Sequence, residues 1–388
     1  MTAPLDADDV LVACEGLVPL LAAEAPAAEV ARQLTPAVVE AVGRADLWRM
    51  VVPTSLAGHG LGIEPLANGT RVLAHGCPAS AWTISFLVMH SWLLTKYPAE
   101  ARAEFFPADR PWALAPAPLA PTGTATAVDG GFRVTGRWEW ATGVRHADWV
   151  MVHAVQAEPE FATWFAVVPA GEAEVEDVWH TSGMRATGSE AVRLDDVFVP
   201  AHRAIRSQAL LFGSGPVAGD GMAGMPVPQV LALMAAAPAV GAAEAAVDLY
   251  RERVASRVLA YSLGDRAKDQ PVMQARLGAV VGDLAAMRAN WDRAIARLER
   301  VGAGEELTVE ERVGLRLAAA HTVRAARRIL GDIAEGAGAS VYFEQSPFQR
   351  IQRDLEVLKG HVIFDWDRTA EIAGRMALGI EPRPTDMV

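Results

Sequence analysis

Along this 388-residue chain the spacing of the hydrophobic positions changes twice. From about Ala7 to Phe106 apolar residues recur at helical intervals through long Ala, Leu, Val and Glu stretches, broken by Pro53 and by the glycine-rich turn Gly58 to Gly62. Proline then crowds Pro111 to Pro121, where no helix continues. Beyond it the period drops to two. In TATAVDGGFRVTGRWEW the Gly130-Gly131 pair after Asp129 predicts a hairpin, with Phe132, Val134, Trp138 and Trp140 on one face of the strand that follows. Further strands are expected at Asp148 to Val155, Thr163 to Pro169 and Ala191 to Val199, giving a small antiparallel β domain or barrel.

Helical spacing returns from about Val227 to Gly379. Thr308 with Glu311, and Ser346 with Gln349, have capping-box separation, and Pro347 stands where a first helical residue belongs. The stretch Gly221 to Ala243 carries no charge and is long enough to cross a bilayer. Its Pro226, Pro228 and Pro238, with many Ala and Gly, suit a loop entering a buried central helix of a soluble protein instead. The expected fold class is mostly α with a central antiparallel β domain: an N-terminal helical domain over 1–112, a middle β domain over 113–215 and a C-terminal helical bundle over 216–388.

Composition narrows the function. Half the residues are hydrophobic (51%), 21% are charged and the net charge is −12, a balance that suits a globular enzyme and argues against binding nucleic acid. The amino terminus, MTAPLDADDV, is polar and acidic where a secretory signal is basic and then apolar, so a cytoplasmic location is expected, without a membrane partner. Cys14 and Cys77 have no spacing for zinc or a disulfide framework and read as reduced thiols. His59, His75, His153, His180, His202 and His321 likewise have no metal-site spacing, and no metal is expected. No GxGxxG or P-loop signature follows a strand, which leaves a nicotinamide nucleotide without a dedicated domain.

Three segments then bring a family into view. GRWEWATGVRHADWV resembles the flavin-contacting strand of acyl-CoA dehydrogenases, with Trp140-Ala141-Thr142 where that family has Trp-Ile-Thr. VWHTSGMRATGSEAVRLDDVFVP resembles the strand pair that closes the same β domain, and SPFQRIQRDLEVLKGH resembles the late Arg-Asp helix. The likeness runs in order over nearly the whole chain. It implies an acyl-CoA-dehydrogenase-like fold with a middle β-barrel and a C-terminal four-helix bundle, and flavin contacts at Trp140, Thr142, Gly143 and Trp179, the Thr142 hydroxyl lying at the flavin N5. Such a ring needs an apolar wall and a few polar partners, and Trp138, Trp140, Trp149, Trp164 and Trp179 crowd this one domain. The resemblance further implies Arg257 at the flavin phosphate, often across a subunit boundary. The family's flavin loop of Glu and Gly-Ser-Asp is replaced by PAPLAPTG, which leaves FMN and FAD both open.

The reaction turns on a missing base. Acyl-CoA dehydrogenases place a catalytic glutamate eight residues past the Asp of the Arg-Asp pair or on the first long helix after the β domain; Val362 and Val230 stand there. His361 stands beside Val362, and the likeness shifts to the two-component (group D) flavin-dependent monooxygenases of the same fold. That branch implies His361, with His90 from GCPASAWTISFLVMH and Thr142, around a C4a-(hydro)peroxyflavin made from reduced flavin (FADH2 or FMNH2) and O2, which hydroxylates an aromatic or polycyclic small molecule. Histidine suits proton management near neutral pH. Asp365, read as one helical turn beyond His361, is expected to orient its ring, and His146 is a candidate on the substrate side. Electrons are expected from a separate NAD(P)H:flavin reductase, and the assembly is expected to be a homo-oligomer, a tetramer by analogy. N- or S-oxygenation, an acyl-CoA dehydrogenase and a non-catalytic scaffold stay open as alternatives.

Overall fold

A computed structural model describes residues 4–217, 220–386 and 388, so the first three residues of the polar amino terminus lie outside it. Five helices come first: α1 (Ala7–Ala31), α2 (Pro36–Arg44), α3 (Ile63–Gly76), α4 (Pro78–Leu94) and α5 (Ala99–Phe105). The strands follow as β1 (Gly123–Val128), β2 (Gly131–Ala141), β3 (Trp149–Gln156), β4 (Ala162–Pro169), β5 (Glu174–Glu176), β6 (Glu190–Pro200) and β7 (Ala204–Arg206). The chain returns to helix with α6 (Ser207–Phe212), α7 (Val227–Ser256), α8 (Pro271–Gly302), α9 (Val309–Ala337), α10 (Pro347–Leu358) and α11 (Trp366–Ala377).

The sheet has the order β5-β6-β2-β1-β3-β4-β7. It corrects the antiparallel expectation in one place, since β1 and β3 pair in parallel through Gly123–Ala154 and Thr124–Val155. The cause is connectivity. The Gly130-Gly131 hairpin makes β2 antiparallel to β1 on one side, and β3, reversing again after β2, lands on the other side of β1. A second correction concerns Trp140. The β2–β6 register slips between Trp138 and Ala141, and Trp140 has φ +64°, so it leaves the face shared by Phe132, Val134 and Trp138 and stands 61% exposed.

The proline connector does not wander. Ser91 Oγ donates to the Ala113 carbonyl at 2.6 Å, Met151 N–H donates to Pro116 at 3.0 Å, and the chain lies against β3 as a result. Among the caps, Thr308 and Glu311 form the expected reciprocal box, whereas Ser346 makes no side-chain cap. Gln349 spends its amide on the Glu344 and Ser346 carbonyls, which is why that box does not close.

The uncharged stretch after Gly221 runs into the amino-terminal half of α7, and that apolar half is almost wholly buried within the protein. Gly241 is required where α7 crosses α3, because a β-carbon there would lie 1.9 Å from the Arg71 carbonyl oxygen. One continuous hydrophobic core joins α1, α3 and α4 to α7–α10, and a second, smaller one fills the sheet with Phe132, Val134, Trp138 and Val192.

Candidate active site

Three consecutive turns of α4 build the wall of the site. Trp82, Phe86 and His90 are spaced by four, so they stack along one helical face. Trp82 and Phe86 are stacked at 4.3 Å between ring centroids, Phe86 meets His90 edge-on at 5.5 Å, and His361 meets Trp82 edge-on at 5.6 Å. His361 and His90 therefore stand at the two ends of one row of rings, separated along the helix axis by about 12 Å for the eight residues from Trp82 to His90.

Thr142 meets this row at Trp82. The residue after it, Gly143, sits at φ +71°, and a β-carbon there would press on Thr83 Cγ2 at 3.0 Å and Leu87 Cδ1 at 3.1 Å. Glycine thus lets the end of β2 lie flat on α4, and Trp82 Nε1 reaches Thr142 Oγ1 at 3.5 Å. From Thr142 a chain of hydroxyls runs inward: to Ser189 Oγ at 2.9 Å, from there to Thr187 Oγ1 at 2.8 Å, and on to the Met184 carbonyl at 2.9 Å. Trp179 Nε1 donates to the same carbonyl at 2.9 Å, which ties the sequence-derived Trp179 to the same cluster.

The loop that carries these hydroxyls is clamped to α10. Met184 N–H donates to Asp354 Oδ1 at 2.6 Å, and Arg353 Nη1 donates to the Ser182 carbonyl at 2.7 Å. Burial, opposed in part by the Met184 bond, pushes the Asp354 carboxyl up to about 7. Its role in the Arg-Asp pair is positional.

His361 differs from its expected setting. α10 stops at Leu358, the chain turns at Lys359-Gly360, and His361 caps a short 3-10 turn, its Nδ1 accepting from Ile363 N–H at 3.3 Å. Because of that break Asp365 does not stack beneath His361. It is exposed and caps α11, accepting from Arg368 N–H at 3.1 Å, so the expectation that it orients the imidazole is corrected. Desolvation holds His361 down to about 4, and the same cause holds His90 at about 4. Both rings are neutral near pH 7, with opposite polarity. His90 donates Nδ1–H to the Ala115 carbonyl at 2.7 Å, leaving a bare Nε2, whereas His361 accepts at Nδ1 and carries its proton on Nε2.

This has a measurable consequence for stability. The folded pKa of each ring lies below the unfolded 6.5, so its contribution is intact above pH 6.5 and is lost as pH falls towards 4, by at most roughly 3 kcal/mol per ring. His90→Asn, whose amide can donate to Ala115, is expected to flatten that decline in urea unfolding between pH 6.5 and 4. An unchanged slope would show that His90 is not the group responsible.

His146 lies in the same turn as Thr142, its Nε2 buried without a hydrogen-bond partner among the described residues, and burial holds its pKa below the usual histidine value. Trp138 is core, donating to the His153 carbonyl at 2.7 Å; Trp149 packs on Phe105 and Trp164 on Phe132. Arg257 belongs to a separate region, where it donates to the Gly336 and Ala337 carbonyls at 3.1 and 3.2 Å. Beside it is a cavity of about 150 Å³ lined by Tyr250, Arg253, Ser340 and Phe348, and Arg253 is the arginine that faces it. Sequence reasoning missed Trp82, Phe86, Thr187 and Ser189. The four-residue spacing to His90 marks the first two, and the hydroxyls flanking Gly188 mark the others.

Residues 233–366 match the family model described as the acyl-CoA dehydrogenase C-terminal domain. The FADH2-dependent resorcinol hydroxylase oxygenase component of a Rhizobium species is 28% identical over 383 residues, covering 95% of this chain and 93% of that protein. The solved structure of XiaF from Streptomyces, in complex with FADH2 and glycerol, superposes with a TM-score of 0.91 at 28% identity over 97% of this chain and 96% of that one. The flavin-dependent monooxygenase oxygenase subunit HsaA of Mycobacterium tuberculosis is 30% identical and covers 98% of both chains.

This chain belongs to the flavin-dependent monooxygenase oxygenase components. As such an oxygenase component it uses reduced flavin and O2 and works with a separate reductase. Membership also accounts for the valines at 362 and 230: an oxygenase component has no need of a carboxylate to remove a substrate α-proton, and the Asp354 carboxyl is sealed behind Met184.

Proposed function

We propose that this chain inserts one atom of O2 into a phenol-like aromatic ring held along the Trp82–Phe86 face beside Thr142. The observation that carries this reading is the pair of neutral imidazoles of opposite polarity at the two ends of that apolar face.

The residues fit a flavin. An isoalloxazine ring needs an apolar wall and polar partners at N5 and at its carbonyl edge. Trp82 offers the wall, Thr142 a buried hydroxyl, and His146 a buried ring nitrogen that lacks a partner among the described residues. Gly143 lets Thr142 lie against α4, Trp179 holds the Met184 carbonyl at the inner end of the hydroxyl chain, and Trp140, turned outward, is left to cover the bound cofactor. Arg253 and Arg257, in their separate region, fit the phosphate tail of a flavin whose ring lies in a neighbouring subunit, next to a Tyr250 hydroxyl that is buried and unpartnered among the described residues. When bound, reduced flavin supplies the two electrons that activate O2.

The chain's own residues do the rest. His90, with Nδ1 fixed on Ala115, offers its bare Nε2 to a phenolic O–H and draws electron density into the ring. His361 keeps a proton at Nε2, available to an oxygen atom gaining charge, while Trp82 and Phe86 keep water away. The resorcinol hydroxylase among the relatives acts on such a phenol, which supports this substrate class. We further propose a homotetramer, a reading supported by the fully exposed Tyr261 and Leu263 as contact points. Light scattering that returns a monomer at micromolar concentration would remove it.

The test mixes the protein with chemically reduced FAD or FMN, isotopically labelled O2 and a panel of phenols led by resorcinol. Label in a hydroxylated product is the expected result. Unlabelled product, or flavin oxidation without product from any phenol, overturns the reading.

A further inference from the structure

The hydroxyl chain behind Thr142 has a direction. At its inner end stands the Met184 carbonyl, which can only accept, so the Thr187 hydroxyl at 2.9 Å donates to it. With that proton committed, the 2.8 Å contact between Thr187 and Ser189 is made by the Ser189 proton. The 2.9 Å contact between Ser189 and Thr142 is then made by the Thr142 proton. At the outer end Trp82 Nε1, which can only donate, points to Thr142 Oγ1 at 3.5 Å. Reversing the chain would set the Thr187 oxygen lone pairs against those of the Met184 carbonyl within a buried cluster; all three hydroxyl residues are at most 7% exposed.

From this polarity we infer that Ser189 and Thr187 are positioning residues that fix Thr142 as a hydrogen-bond acceptor, so that the site discriminates between the redox states of the flavin. The inference rests on the flavin-binding reading above. A reduced flavin carries a hydrogen on N5 and can donate to such an oxygen; an oxidised flavin presents a lone pair there and meets another lone pair. The two residues touch neither substrate nor cofactor in this scheme. They act through the direction of one O–H bond.

The experiment measures the dissociation constants of oxidised FAD and, anaerobically, of reduced FAD for the same protein. Wild type is expected to bind the reduced form more tightly. Ser189→Ala releases the Thr142 proton to turn outward, and Thr187→Val releases the whole chain, so in both the ratio of the two constants should fall about tenfold, the size of one buried hydrogen bond. Thr187→Ser retains the hydroxyl and should retain the ratio. Reduced-flavin binding that persists in each variant shows that the fold survives. A ratio unchanged in both Ser189→Ala and Thr187→Val, or lost equally in Thr187→Ser, overturns the relay while leaving the flavin reading intact. A wild-type protein that binds neither form overturns both.

Discussion

His361→Ala is expected to fold and bind reduced flavin normally, yet to lose product by a factor of about 10² to 10⁴ and to release hydrogen peroxide in its place. The imidazole touches Trp82 and spends Nδ1 on Ile363, which leaves Nε2–H as a donor at the Thr142 end of the ring row. A methyl in its place cannot donate, and the space it opens admits water beside Trp82. Oxygen consumption should therefore continue while coupling fails. Thr142→Ala should fail in the same sense, with the added loss of the hydroxyl proposed for the flavin N5. Oxygen uptake, peroxide and product measured together decide the matter, and full product yield in both variants would refute the assignments.

The second large effect is expected at Gly183, the residue before Met184 in the loop clamped to α10. A β-carbon there would lie 2.1 Å from the Arg353 carbonyl oxygen and 2.7 Å from the Asp354 nitrogen, both backbone atoms of α10. A helix backbone cannot yield by that much, so in Gly183→Ala the loop must lift. Lifting breaks the bond from Met184 N–H to Asp354, already unpaired at Oδ2 among the described residues, and swings the carbonyl on which Thr187 and Trp179 depend. Overpacking and a lost buried hydrogen bond together should cost about 3 kcal/mol or more. Coupling should fall with stability, since the hydroxyls of Thr187 and Ser189 ride on the loop. Gly171→Ala is the control, because nothing lies within 4 Å of its added carbon, and its cost should stay within about 0.5 kcal/mol. Equal melting temperatures for the two variants would mean that the loop is not clamped as described.

Local signals carried most of the fold: the two changes of hydrophobic period, the Thr308 box, the proline connector and the Gly-Gly turn all act within a few residues. What escaped depends on distance or on one residue's backbone. Alternation along β2 cannot reveal that Trp140 takes a positive φ, and a hairpin cannot say which flank of β1 will receive β3. Asp365 was misjudged because helical spacing was carried through Lys359-Gly360, where the helix ends. Short motifs singled out Thr142, His361, His90 and Trp179 as candidates, and the structure sets the first three along the Trp82–Phe86 row and Trp179 on the Met184 carbonyl. Ser189 was not, since its meaning lies in a hydroxyl 47 positions away.

The interior shared by the first and last helices bears on how the molecule is made. Helix α3 packs against α7, a segment translated about a hundred and fifty positions later, with Gly241 set against the Arg71 backbone. The leading helices must leave the ribosome with their greasy sides uncovered and wait for the tail of the chain, while the sheet between them can complete its own hairpins at once.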